Sequence, residues 1–204
     1  MNVLLIGMGA IISVFLMYFG ITLMKKVDDE HGLPENIGIF YMLITAIVSC
    51  ITIAAFYPYF FLSVLFTAYL AIMAYTDFYV MKLYTIFHIV IGMIGYITLF
   101  ILGELFVLQF ISVAVVIILM KWFKIINVGD VELLFASFPY ICLFADIYKI
   151  DKVCFWFGFL TTVLWVSVVI NFKASIKKEK TKAPFAVPIF TGYVVMALFM
   201  VVAK

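Results

Sequence analysis

Long, uninterrupted apolar runs separated by short polar links restrict the fold of this chain more than any other feature of its sequence. Hydrophobic residues make up 68% of the 204 positions and charged residues 12%, against roughly 45–50% and 25% in soluble domains. The runs are continuous rather than alternating, so their backbone polar groups must be paired within helices inside a bilayer. The sequence therefore predicts an all-α polytopic membrane protein.

The apolar runs divide the chain into about eight candidate transmembrane helices of the length needed to cross a bilayer, about 20 residues each. We expect them near residues 2–24, 37–56, 59–76, 83–102, 105–123, 131–148, 153–172 and 184–203. These spans leave no room for a sizeable soluble domain. We therefore expect a single transmembrane domain over 1–204, embedded in a lipid bilayer.

The distribution of lysines predicts how the chain is oriented. If the 25–36 link is cytoplasmic and the spans alternate, ten lysines fall inside and three outside, which is a strong positive-inside bias. The inner ten are Lys25, Lys26, Lys82, Lys121, Lys124, Lys173, Lys177, Lys178, Lys180 and Lys182, and the outer three are Lys149, Lys152 and Lys204. We expect a multi-pass protein of the cell membrane with both termini on the outer side.

Several function classes are excluded by what the sequence lacks. No clustered basic face is available for nucleic acid, and no Gly-rich phosphate loop indicates a cofactor. Cys50, Cys142 and Cys154 lie far apart in apolar runs, so we expect buried cysteines rather than a metal site. HExxH and GxSxG motifs are both absent, which leaves no zinc or serine protease. We predict neither a metal nor a cofactor.

Two aspartates occupy positions that call for an explanation, because acids at membrane depth are costly and usually functional. Asp77 follows the uncharged run 59–76, and Asp130 precedes the run 131–148. In the predicted topology one ends an inward-running helix and the other begins an outward-running helix. Both therefore lie at the cytoplasmic edge, at the same depth, where two carboxylates can meet.

A pair of carboxyl groups about 3 Å apart shares one proton. The ionised member can act as general base toward a water, while the protonated member polarises a peptide carbonyl and later protonates the leaving nitrogen. Simpler structural roles compete with this interpretation. Asp130 can be the N-cap of its helix, with Glu132 favourable in the first turn, and Asp77 can mark the point where a helix leaves the bilayer.

Three segments around these acids resemble the type IV prepilin leader peptidases. Ala74-Tyr75-Thr76-Asp77 resembles the first aspartate region of that family, and Asn127-Val128-Gly129-Asp130 resembles its GxGD motif. Pro184-Phe185, followed by Gly192, resembles the segment that begins its last helix. The three segments occur in the family's order.

The resemblance implies an aspartic endopeptidase that removes the basic leader of prepilin-like, single-span substrates at the cytoplasmic face. Its catalytic pair would be Asp77 and Asp130. Gly129 and Asn127 would support the motif backbone, and Pro184 and Phe185 would have an architectural role. The resemblance also implies a short form, because the CxxC-containing methyltransferase domain of many members is absent from the 25–36 link.

The sequence departs from the family pattern around both aspartates. Asn127 replaces the first motif glycine, although asparagine tolerates left-handed backbone well. Glu132 replaces the usual lysine, and Lys82-Leu83-Tyr84 replaces an isoleucine-proline-asparagine segment. Two other functions therefore remain open: a small ion- or proton-coupled transporter, or an inactive scaffold of a pilus or secretion assembly. His88, in the fourth span, would tune the carboxylates or hydrogen-bond between helices.

Overall fold

The computed structural model describes residues 3–27, 33–34, 36–103, 107–123, 126–176 and 184–202, without the side chains of 108, 109 and 170–176. This part of the chain forms helices and no strand, as predicted. The helices are α1 Val3–Val27, α2 Ile39–Ala55, α3 Phe60–Val80, α4 Thr85–Ile101, α5 Val107–Trp122, α6 Val128–Ile147, α7 Lys152–Ile176 and α8 Ala186–Val202, with a 3-10 turn at Tyr57–Tyr59. Lys124, Lys177, Lys178, Lys180, Lys182 and Lys204 lie outside the described residues.

Each predicted span coincides with a helix, but within the part of the chain that the structure describes only four helical stretches are long and apolar enough to cross a membrane. These are Val3–Lys26, Tyr57–Val80, Val128–Ile147 and Lys152–Val169. The apolar helices α2, α4 and α8 have 17 residues each, or roughly 25 Å at 1.5 Å per residue. The chain therefore has the helices of a membrane protein, while the crossing of the bilayer by all eight stays a prediction.

The helix boundaries differ from the predicted spans at both aspartates. Helix α3 continues to Val80 and ends at Met81, whose backbone is left-handed (φ 53°) and whose N–H donates to the Asp77 carbonyl. Asp77 therefore lies inside the last turn of α3 rather than beyond its end. Helix α6 begins at Val128, three residues before the predicted start.

The chain forms two compact units. The first comprises Met1–Lys82 and Thr161–Lys204, and the second comprises Leu83–Leu160. In the first unit, α3 packs against α1, α2 and α8. Its residues 66–77 are all buried. Hydroxyl groups link these helices in the apolar interior: Tyr41 donates to the Ala71 carbonyl at 2.6 Å, and Thr52 and Thr67 share a hydrogen bond of 2.9 Å.

In the second unit, α6 packs against α4 and α5. Helices α4 and α6 approach closely where small residues face each other. A Cβ atom added to Gly92 would lie 3.5 Å from the Cα of Ala136, and one added to Gly95 would lie 2.6 Å from the Cγ of Pro139. The Tyr140 hydroxyl also donates to the Ile91 carbonyl across this contact, at 2.9 Å.

The cysteines are only partly as predicted. Cys142 is buried, Cys50 is half-buried and Cys154 is exposed. The expectation that all three are buried is wrong for Cys154. This residue lies in the first turn of α7, where its N–H donates to the exposed carboxylate of Asp151, and its side chain faces away from the core.

Candidate functional site

Asp77 is buried in the last turn of α3, and its carboxylate contacts the beginning of α8. The Ala186 N–H donates to Oδ2 of Asp77 at 2.7 Å, and the Phe185 N–H also hydrogen-bonds to this carboxylate. The first N–H groups of a helix have no partner within the helix, so a carboxylate is a suitable acceptor for them. Two of the three segments that carry the family resemblance are therefore in direct contact.

The start of α8 explains why the Pro-Phe segment suits this contact. Pro184 precedes the helix by two residues, and the Phe185 carbonyl accepts the first helical hydrogen bond, from Ile189 at 3.3 Å. Pro188 occupies the third helical position, where its missing N–H removes no helical hydrogen bond. Neither proline has an N–H to donate, so the N–H groups that bind the Asp77 carboxylate are those of Phe185 and Ala186.

Asp130 is buried and hydrogen-bonds to the N-cap residue of its own helix. It is the third residue of α6, and its Oδ2 accepts the N–H of Asn127 at 2.8 Å. This is the carboxylate half of a capping box. The interpretation of Asp130 as the N-cap is wrong, because Asn127 is the N-cap residue. Sequence spacing suggested Asp130 because the apolar run begins after it, whereas Val128 and Gly129 are already helical.

The backbone around Asp130 does not require a left-handed residue. Asn127 has φ −90° and ψ 177°, which is an extended conformation open to any residue. Glycine is favoured at position 129 by close packing instead, since a Cβ atom there would lie 3.2 Å from the Cβ and Cδ1 atoms of Leu83. The replacement of the first motif glycine by Asn127 therefore costs no backbone strain, and asparagine is among the preferred N-cap residues.

The two aspartates belong to different compact units, Asp77 to the first and Asp130 to the second. Their meeting at one site stays a prediction. Within its own unit, each carboxylate is buried, with 6% of the residue exposed, and each binds N–H groups at the start of a helix. Such contacts orient a carboxylate, as general acid–base catalysis requires, and they equally serve to stabilise the helix.

A cluster of polar side chains lies at one end of a cavity between α4 and α6, and one of them, Glu132, follows Asp130 by two residues. The Thr85 hydroxyl donates to Oε2 of Glu132 at 2.8 Å, and buried His88 lines the same cavity. The sequence identified Glu132 and His88 as unusual but not Thr85, because nothing in the sequence relates two residues 47 positions apart. The contact required the packing of α4 on α6.

Comparisons of the chain with protein families, with curated proteins and with solved structures find no match. The resemblance to the prepilin peptidases accordingly depends on the three segments around Asp77, Asp130 and Pro184.

Proposed function

We propose that the protein is a membrane-embedded aspartic endopeptidase that cleaves the leader peptide of prepilin-like substrates at the cytoplasmic face. The observation that supports this most strongly is the 2.7 Å contact between Asp77 and Ala186. It joins the first aspartate region to the start of the last helix, two segments that the family resemblance identifies independently of each other. The proposal assigns catalysis to Asp77 together with Asp130.

In the proposed reaction, the two carboxyl groups share one proton. The ionised carboxylate removes a proton from a water molecule, and the resulting hydroxide forms the new C–O bond at the scissile carbonyl. The protonated carboxyl hydrogen-bonds to the carbonyl oxygen and then gives its proton to the leaving nitrogen as the C–N bond breaks. The products are a new carboxyl terminus and a new amino terminus, and the pair again holds one proton.

The burial of both aspartates is compatible with this chemistry. A dry environment excludes loose solvent and strengthens the interaction of the carboxyl groups with a reacting peptide. The Ala186 N–H donates to Oδ2 of Asp77, and the Asn127 N–H donates to Oδ2 of Asp130. Orientation by fixed backbone donors keeps the reorganisation energy of the reaction low.

The central experiment follows removal of the leader from a tagged prepilin by gel shift, with the wild-type protein and with Asp77→Asn and Asp130→Asn. We expect each substitution to reduce cleavage by at least about 100-fold, because asparagine cannot transfer the proton. Asn retains an oxygen that accepts the capping N–H, so membrane insertion and thermal stability should be close to wild type. The matched control is Asp146→Asn, which changes an exposed aspartate of α6.

The outcomes distinguish the competing functions. Full cleavage by either asparagine variant would remove the two-aspartate mechanism. A wild-type protein that processes neither prepilins nor pseudopilins, yet co-purifies with them, would instead favour the scaffold function. Proton or ion flux into proteoliposomes that depends on Asp77 and Asp130 would favour the transporter.

The proposed orientation can be tested with the native thiols. In a Cys50→Ser, Cys142→Ser background, exposed Cys154 should react with a membrane-impermeant maleimide on intact cells, because the lysine distribution puts the start of α7 outside. With Cys154 also replaced by serine, a cysteine at exposed position Lys121 should react only after permeabilisation. Labelling of Lys121→Cys on intact cells would reverse the topology.

A further inference from the structure

The second unit contains a groove between α4 and α6 that the proposed catalytic chemistry does not use. It has a volume of about 480 Å³, and its lining includes Thr85, His88, Gly92, Tyr96, Glu132 and Phe135. Along α4 the lining extends from Thr85 to Tyr96, which is roughly 16 Å at 1.5 Å per residue. We refer to this feature as the α4–α6 groove. Its length matches about three turns of a helical peptide.

The α4–α6 groove is strongly asymmetric in polarity. Glu132 and Thr85, joined by their 2.8 Å hydrogen bond, occupy one end together with His88. The rest of the lining is largely apolar, with Ile89, Met93 and Phe135 among its members. Glu132 is the only acidic residue among the lining residues and follows Asp130 by two positions in α6.

The walls of the α4–α6 groove are held in place by hydrogen bonds between the two helices. The Tyr96 hydroxyl donates to the Phe135 carbonyl at 3.0 Å, and the Tyr140 hydroxyl donates to the Ile91 carbonyl. The floor is set by the close approach of Gly92 to Ala136. A preformed groove binds a ligand with little ordering cost.

The charge at the polar end selects among ligands that an apolar trough could hold. The carboxylate of Glu132 repels the phosphate of an anionic lipid and attracts a lysine or arginine side chain. An apolar helical segment that directly follows a basic residue matches both parts of the groove. That is the chemistry of a leader junction, in which a basic leader precedes a single membrane span.

Resting on the proposed function, we propose that the α4–α6 groove is the docking site of the substrate's leader junction. The first apolar turns of the substrate span lie along the groove, and a basic side chain of the leader pairs with Glu132. Thr85 orients the Glu132 carboxylate for this pairing. Glu132 is thus a specificity-determining residue. Because the family usually has a lysine at this position, its replacement by Glu132 changes which leaders the groove recognises.

The kinetic test uses the full-length protein in proteoliposomes and two prepilin-derived peptides, one with lysines in the leader and one with glutamines in their place. Glu132→Gln should raise KM for the lysine peptide about tenfold and leave kcat nearly unchanged, because the interaction stabilises the bound substrate and the transition state equally. For the glutamine peptide the variant should match wild type. Thr85→Val should give a smaller increase in KM, and Asp146→Asn none.

A crosslinking experiment measures binding of the peptide to the α4–α6 groove independently of cleavage. In a background with Cys50, Cys142 and Cys154 all replaced by serine, Met93→Cys lies in the α4–α6 groove, whereas Ile97→Cys is exposed on α4 and does not line it. A lysine peptide with one cysteine in its apolar segment should crosslink to position 93 at least about fivefold more than to position 97, and excess lysine peptide should compete. Glu132→Gln should reduce the crosslink.

The outcomes separate the docking site from the peptidase. Crosslinking at position 93 without any cleavage would support the groove and overturn the proposed function. Cleavage that requires Asp77 and Asp130, with KM unchanged in Glu132→Gln and equal crosslinking at 93 and 97, would overturn the groove and leave the peptidase intact. Competition by phosphatidylethanolamine vesicles but not by lysine peptide would identify a lipid site and also overturn this proposal.

Discussion

The carboxylate of Asp77 accepts the backbone N–H of Ala186 at 2.7 Å, across 109 residues of sequence. The contact connects the end of α3 to the beginning of α8 inside the first unit. The buried carboxylate accepts an N–H group at the start of α8, which has no acceptor within α8. A structural requirement and the proposed chemical requirement therefore apply to one side chain, and suitable substitutions can separate them.

Substitution of Asp77 by alanine and by asparagine should have different effects on stability. Asp77→Ala leaves the Ala186 N–H without its acceptor in a buried place, at a cost of about 1–3 kcal/mol. Asp77→Asn keeps an acceptor oxygen and should lose less than half of that amount. The measurement is the free energy of unfolding in detergent micelles. Equal losses in the two variants would show that charge, rather than hydrogen bonding, stabilises this contact.

Two glycines of α4 should respond in opposite directions to alanine. At Gly95, a Cβ atom would lie 2.6 Å from Cγ of Pro139 and 2.9 Å from the Tyr140 ring, so Gly95→Ala should destabilise the protein by about 1–3 kcal/mol. At Gly92 the nearest atom is 3.5 Å away. Gly92→Ala should be neutral or stabilising by up to about 1 kcal/mol, because alanine favours helix. Thermal unfolding of both variants tests this, and a destabilised Gly92→Ala would contradict it.

The Tyr96 hydroxyl should stabilise the protein, because Pro139 leaves a carbonyl of α6 without its helical donor. Proline has no N–H, so the Phe135 carbonyl, four residues earlier, lacks its helical donor, and Tyr96 supplies one at 3.0 Å. Tyr96→Phe should cost about 1 kcal/mol in unfolding free energy. In a Pro139→Ala background the alanine N–H takes over, and the cost should largely disappear.

A double-mutant cycle over Tyr96→Phe and Pro139→Ala measures this coupling directly. Tyr18→Phe serves as a control, since Tyr18 is an exposed tyrosine of α1. Additive effects of the two substitutions would mean that the Tyr96 hydroxyl does not replace the missing proline donor.

The start of α7 should be sensitive to acid. The Cys154 N–H donates to Asp151 at 2.9 Å, and this hydrogen bond lowers the pKa of the exposed Asp151 carboxyl below its ordinary value of 3.8. A group with a lowered folded-state pKa stabilises the fold above its unfolded pKa and loses that contribution as the pH falls through the folded value. The loss should therefore occur below about pH 4.

The Asp151 effect is measured as the unfolding temperature against pH for wild type and Asp151→Asn. Asparagine caps the helix at every pH, so the difference between the two proteins should change only in the acid range. A constant difference from pH 7 to pH 3 would contradict the assignment of the capping carboxylate.

The positions of the helices were predictable because membrane helices are specified by composition along the chain. Continuous apolar runs in a bilayer can pair their backbone groups only as helices, and each of the eight predicted runs coincides with one. The ends were less predictable, as α3 and α6 show. Asp77 and Asp130 interrupt the apolar runs, but both are accommodated inside helices because N–H groups satisfy their carboxylates.

The sequence by itself determined the class of fold and singled out Asp77, Asp130 and the Pro184 segment as unusual. Only the tertiary structure decided which atoms these residues contact. Asp77 with Ala186, Thr85 with Glu132, and Tyr96 with the carbonyl freed by Pro139 are pairs distant in sequence. Hydropathy depends on each residue separately, whereas a hydrogen bond between helices depends on their packing, which no local pattern encodes.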